Sequence, residues 1–206
     1  MEHQHSSAQP LREMGSVRLE GFSDSVLAVI ITIMVLELRP PPSDDLAALE
    51  SLVPGLLIYV LSFVSIGIYW NNHHHLLRAT RRISGGVMWA NLHLLFWLSL
   101  VPFVTAWVGA HPRSLWPALT YGAIGFMAAI AYYILTQTIR TVNKDTRINE
   151  LLQRDTKAKL SVTLIALGMA LAFIEPLLAY GAYALVLIMW FIPDRRLATS
   201  GNEQEG

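Results

Sequence analysis

The sequence contains no cysteine, which excludes a disulfide framework, a thiolate metal site and a cysteine nucleophile. Charge is also scarce. Asp, Glu, Lys and Arg make up only 15% of the residues, against roughly 25% in a soluble domain. The 15 basic and 15 acidic side chains cancel. No basic excess is left to offset nucleic-acid phosphate, so a nucleic-acid partner is not expected. The N-terminal stretch lacks the basic, apolar, small-residue order of a signal peptide. Residues 1–16, which include His3 and His5, and residues 194–206 are expected to be disordered.

What the chain has is apolar sequence, 53% of the whole, in long charge-free stretches separated by short basic clusters. That is the pattern of a polytopic membrane protein. The stretches run over Phe22–Leu38, Leu52–Trp70 (continuing helically to Leu77), Val87–Val108, Leu115–Ile139, Leu160–Ile174 and Pro176–Ile192. A helix needs about 20 residues to cross a hydrocarbon core of about 30 Å. The first four stretches meet or approach this. The last two are short and flank Glu175-Pro176, so they read as a tight hairpin with Pro176 opening the final helix. The expected fold is an all-α integral membrane protein with six transmembrane helices per subunit in residues 17–193 and both termini cytoplasmic.

The basic residues set this orientation, because Lys and Arg stay on the cytoplasmic side. With the N-terminus inside, 13 of the 15 basic residues fall on inner segments, and only Arg39 and Arg113 lie outside. In the outer loop, Pro40-Pro41-Pro42 ends the first helix. Ser43, Asp44 and Asp45 suit the start of a short outer helix, and with Glu50 the two aspartates could concentrate cations. The inner loop Thr141–Thr156 is strongly charged, with helix expected at its edges.

Ionisable groups inside membrane helices are costly and mark candidate functional positions. The first helix opens Arg18-Leu19-Glu20-Gly21-Phe22-Ser23-Asp24. Arg18, Phe22 and Ser25 share a side, and Asp24 lies a turn deeper than Glu20. A lone carboxylate there needs a partner or a proton. Trp70, His73, His74 and Leu77 follow one face at the inner end of the second helix, and Asn91 and His93 lie near the inner end of the third. A network of Arg18, Ser23, Asp24, His74 and Asn91 is geometrically possible. It either fastens three helices or takes part in gating, and its histidines could make opening sensitive to pH. His73, His74 and His75 are consecutive and point about 100° apart, so no more than two could serve one site. No metal or haem site is expected.

Beyond Asp24, Val29, Ile33 and Leu36 recur at helical spacing, with Thr32 beside them. Such a stripe suits lipid, a neighbouring helix or a pore. Tyr180-Gly181-Ala182-Tyr183 is not a T-V-G-Y-G carbonyl filter, so selectivity in any channel must come from elsewhere, such as apolar constrictions that gate by dewetting.

Arg18-x-x-x-Phe22-Ser23-Asp24 at the start of a first membrane helix resembles the R-x-x-x-F-S-D signature of the transmembrane protein 175 family, potassium channels of endosomes and lysosomes with six-helix prokaryotic relatives. Tyr69-Trp70-Asn71-Asn72-His73-His74 resembles the family's second helix. Trp89-Ala90-Asn91-Leu92 and Ser99-Leu100-Val101-Pro102-Phe103 resemble its third. The likeness runs from Arg18 through Phe103. It implies a homotetramer in a prokaryotic inner membrane and passive potassium conduction along the first helices. Val29, Ile33 and Leu36 would then be the constrictions and Thr32 a hydroxyl layer. Val29 is smaller than the leucine or isoleucine usual at the first constriction. Arg18, Phe22, Ser23, Asp24, Trp70, His73, His74 and Asn91 would hold or gate the inner end.

No catalytic residues or cofactor are implied, and potassium is the permeant ion. A secondary transporter or proton-coupled cation exchanger is the alternative. It would need discontinuous helices and a repeat. Neither is evident, although Pro102, Gly122 and Gly125 could bend helices. A haem oxidoreductase using His73, His74 and His93, and a purely structural membrane protein, are further alternatives.

Overall fold

A computed structural model of the chain describes residues 8–41, 43–80, 82–143 and 155–191. Among these residues there are seven helices: α1 (Ala8–Leu36), α2 (Leu46–Arg78), α3 (Gly85–Ser99), α4 (Val101–Ala110), α5 (Leu115–Val142), α6 (Asp155–Leu171) and α7 (Pro176–Phe191). α1 begins at Ala8, so residues 8–16 are helical where disorder was expected. The expectations for residues 1–7 and 192–206, and for most of the charged inner loop, lie outside the described residues.

Helix ends follow local chemistry. α1 stops at Leu36, a few residues before Pro40 and Pro41, because proline disfavours helix in the residue before it and cannot continue one. Asp45 is extended, and its carboxylate accepts the Ala48 N–H at 2.7 Å. It thus caps α2 itself, and the separate short outer helix expected around Ser43–Asp45 does not form. Ser84 caps α3 by accepting the Val87 N–H at 3.3 Å. The third apolar stretch was expected to be one helix and is broken at Leu100. Pro102 has no N–H to continue the ladder and opens α4 instead. Pro176 opens α7, and Glu175 Oε1 accepts the Leu177 N–H at 3.4 Å.

The helices pack in alternating directions, and contacts between sequence-distant ends show it. Ser16, two turns into α1, donates to the Leu77 carbonyl at the end of α2 at 3.1 Å. Asn143, just past α5, pairs with the backbone of Arg82. It accepts the Arg82 N–H at 2.9 Å and donates to the Arg82 carbonyl at 3.1 Å. Trp190 near the end of α7 donates to Ser161 in the first turns of α6 at 2.8 Å. These contacts lie at one end of the bundle, the basic end, which carries Arg18, Arg78, Arg82, Arg140, Lys157 and Lys159.

Close approaches fix the rest. Gly55 of α2 and Gly109 of α4 cross so closely that a Cβ on Gly109 would sit 3.4 Å from the Gly55 Cα. Tyr183 of α7 lies over two glycines. A Cβ on Gly122 would collide with its hydroxyl, and one on Gly168 would come within 2.5 Å of its ring.

Among the described residues four helical runs are long and apolar enough to cross a membrane: Gly15–Leu36, Ala48–Arg78, Gly85–Ala110 (α3 with α4) and Leu115–Val142. α6 and α7, at 17 and 16 residues, are shorter than the usual spanning length. The outer surface suits hydrocarbon. Trp89, Phe173, Ile174 and Phe191 are each at least 70% exposed, a burden of apolar surface that a water-soluble monomer rarely shows.

Candidate functional site

α1 carries two opposed stripes. Ser23, Leu27, Ile30 and Met34, spaced by four, three and four residues, are all nearly fully buried in the bundle. Arg18, Phe22, Ser25, Val29, Thr32 and Leu36, with Ile33 beside them, are exposed along the opposite side. At about 100° per residue these sets point roughly 150° apart. α1 therefore lies in a groove formed by α2, α3 and α4 and presents one long face that nothing among the described residues covers. In its upper part this face is apolar, with Val29 56%, Ile33 42% and Leu36 78% exposed. The Thr32 hydroxyl donates to the Ala28 carbonyl of its own helix, and Ser25 Oγ donates to the Gly21 carbonyl at 2.7 Å.

Next to this face, two separate polar groups tie α1 to its neighbours. The first is sealed. The Ser23 hydroxyl donates to the Leu19 carbonyl at 2.8 Å, Asn91 Nδ2 donates to Ser23 Oγ at 2.9 Å, and His73 Nε2 lies 2.6 Å from Asn91 Oδ1. The Asn91 oxygen can only accept, so Nε2 carries the proton. Ser23, Asn91 and His73 are almost completely buried, and His73 Nδ1 finds no partner among the described residues.

The second group lies along the α1–α2 seam. Trp70 Nε1 donates to Asp24 Oδ1 at 3.0 Å. One turn further, His74 Nδ1 approaches Glu20 Oε1 to 2.7 Å. The Trp70 and His74 rings stack at 5.9 Å. Because the helices are antiparallel, a step of four back along α1 matches a step of four forward along α2. The same register brings Ser16 to Leu77.

The sequence reading is thus redistributed. His73, not His74, meets Asn91, and Asp24 belongs with Trp70. Arg18 is on the exposed stripe with Phe22, away from Ser23 and Asn91, and makes no ion pair among the described residues. Helical phase explains this, since Arg18 and Phe22 project opposite to the core stripe. Glu20, outside the expected network, is the partner of His74, and its position four residues before Asp24 puts it on the same side of the helix. His93 accepts the Trp97 N–H at 3.0 Å on its own helix and stands apart from the other histidines. Among the described residues no cluster of three or more His, Asp or Glu side chains could hold a metal.

A chain of hydroxyls deeper in the bundle carried no sequence signal. The Thr105 and Ser62 hydroxyls share a hydrogen bond at 2.7 Å, and Ser62 and Tyr121 share one at 3.0 Å. These groups lie in three different helices, and only the fold brings them together.

Comparison with known proteins gives a consistent family. The family model described as endosomal/lysosomal potassium channel TMEM175 matches residues 18–102. A potassium channel of Chryseobacterium sp. (strain P1-3) is 46% identical over 187 residues, covering 90% of this chain and 97% of that protein. A potassium channel of Streptomyces collinus is 29% identical over 187 residues, covering 85% of this chain and 91% of that protein. The crystal structure of a lysosomal potassium-selective channel TMEM175 homologue from Chamaesiphon minutus superposes with a TM-score of 0.77 at 28% identity, over 86% of this chain and 96% of that one.

Proposed function

The chain belongs to the TMEM175 family of potassium channels, and on that premise we propose that it is one subunit of a potassium channel whose pore is lined by α1. The observation that carries this reading is the uncovered apolar face of α1, with Val29, Ile33 and Leu36 exposed opposite a fully buried stripe. A helix with one face in a core and the other bare needs a second environment. Copies of the same face around an axis supply one.

In this reading the chain crosses the membrane six times, with α3 and α4 forming one span and α6 and α7 a short hairpin. The basic end lies in the cytoplasm, as the positive-inside rule requires. Four subunits surround the axis. Rings of Val29, Ile33 and Leu36 narrow the path to a width that dewets when closed. Rotation or splaying of the α1 helices lets water and potassium through, down the electrochemical gradient. Thr32 replaces part of the ion's lost hydration by turning its hydroxyl lone pairs to the axis. The two polar groups hold the cytoplasmic end of α1 in register, one against α3 and the other against α2. The protein resides in the cell membrane, with potassium as permeant ion.

The test is cation flux from liposomes holding the purified protein, with potassium or sodium inside and a large impermeant cation outside. The expected result is rapid potassium release that needs no proton gradient and exceeds sodium release. Flux that appears only with a coupled proton gradient, or no flux at all, contradicts the reading.

A further inference from the structure

A cavity of about 460 Å³ lies between α2, α5, α6 and α7, on a side of the bundle where α1 takes no part. Its volume falls within the roughly 300–1,000 Å³ usual for ligand pockets. Along α2 it extends from Leu61 to Asn72, about 16 Å at 1.5 Å per residue. That is close to the depth of one leaflet, roughly half of a 30 Å hydrocarbon core.

Its two ends differ. Toward the middle of the bundle it is lined by Tyr121 and Tyr183, whose hydroxyls are engaged. Tyr121 shares a hydrogen bond with Ser62, and Tyr183 donates to the Ala118 carbonyl at 3.3 Å. Those rings therefore present an apolar floor. At the basic end the rim holds Lys159, exposed and without an ion pair among the described residues. No acidic side chain lines the cavity among the described residues. The wall along α5 includes Gly125, and a Cβ built there meets nothing within 4 Å. This glycine leaves space open where others in the fold permit contact.

We propose that the cavity is a site for an anionic phospholipid, with one acyl chain lying along α2 and α5 and the phosphate at Lys159. An apolar slot one leaflet deep with a cationic rim at the bilayer surface matches that amphiphile in both length and charge. A fatty acid or a zwitterionic lipid would use the slot alone or only weakly use the rim. The inference rests on the membrane orientation given under the proposed function.

The experiment uses the full chain in detergent, stripped of lipid and then exposed to phosphatidylglycerol or phosphatidylcholine, with bound lipid counted by native mass spectrometry. The expected result is retention of phosphatidylglycerol over phosphatidylcholine by about fivefold, equivalent to ~1 kcal/mol for one basic side chain at a membrane surface. Lys159→Gln should abolish that preference while leaving the fold intact, since the residue is exposed. Gly125→Leu should remove binding of both lipids by filling the slot. Equal retention of the two lipids by the native protein, an unchanged preference in Lys159→Gln, or undiminished binding in Gly125→Leu overturns the proposal. Potassium flux measured on the same samples separates the two readings. Normal flux with any of these lipid failures sinks the lipid site alone, and the expected lipid pattern without flux sinks the channel reading alone.

Discussion

The indole N–H of Trp70 donates to Asp24 Oδ1 at 3.0 Å, joining α1 to α2 at a position that is partly open to the surroundings. The contact depends on an acceptor oxygen more than on the charge. Asp24→Asn should therefore keep the thermal midpoint of the purified protein close to native. Asp24→Ala should lose about 1 kcal/mol or less, given the exposure. Equal loss in both variants would mean that the carboxylate charge, not the hydrogen bond, matters here.

The sealed group formed by Ser23, Asn91 and His73 predicts a larger effect. Asn91→Leu orphans the His73 N–H in a dry interior, which should cost about 1–3 kcal/mol. Adding Ser23→Ala should cost less than the sum of the two single changes, because they share one network. Strict additivity in thermal unfolding would contradict the network.

Tyr183 has no room beside a larger residue at position 122 or 168. Gly122→Ala and Gly168→Ala should each destabilise by about 1–3 kcal/mol through overpacking. Gly122→Ala should do less harm in a Tyr183→Ala background, where the clashing ring is gone. Thermal midpoints of the native protein, the three single variants and the double variant check this, and no rescue would place the clash elsewhere.

Ile33→Asn should raise potassium flux in liposomes by easing wetting of an apolar constriction. Unchanged or lower flux at equal protein incorporation would place Ile33 away from the pore.

Much of this arrangement was legible in the sequence because its signals are local. The stop of α1 before the prolines, the opening of the last helix at Pro176 and the stripe of Val29, Thr32, Ile33 and Leu36 on α1 follow from spacing within a single helix. What could not be read is how helices register against one another. His73 and His74 differ by about 100° of helical phase. Which of them meets Asn91 depends on how α2 is rotated against α3, and apolar helix faces encode that weakly. Gly122 and Gly125 looked like bend points. One is instead where Tyr183 lies against the α5 backbone, and the other lines a cavity. Both roles depend on residues far away in the chain. The break at Leu100 was foreshadowed by Pro102, but the hydropathy of the stretch hid it.

The most direct test of an α1-lined pore is single-cysteine accessibility, for which the native chain offers no competing thiol. Val29→Cys and, as a buried control, Leu27→Cys would be reconstituted and exposed during potassium flux to a small charged thiol reagent. The account predicts progressive block of flux in Val29→Cys and none in Leu27→Cys. Block absent at Val29, or equal at both positions, would contradict it.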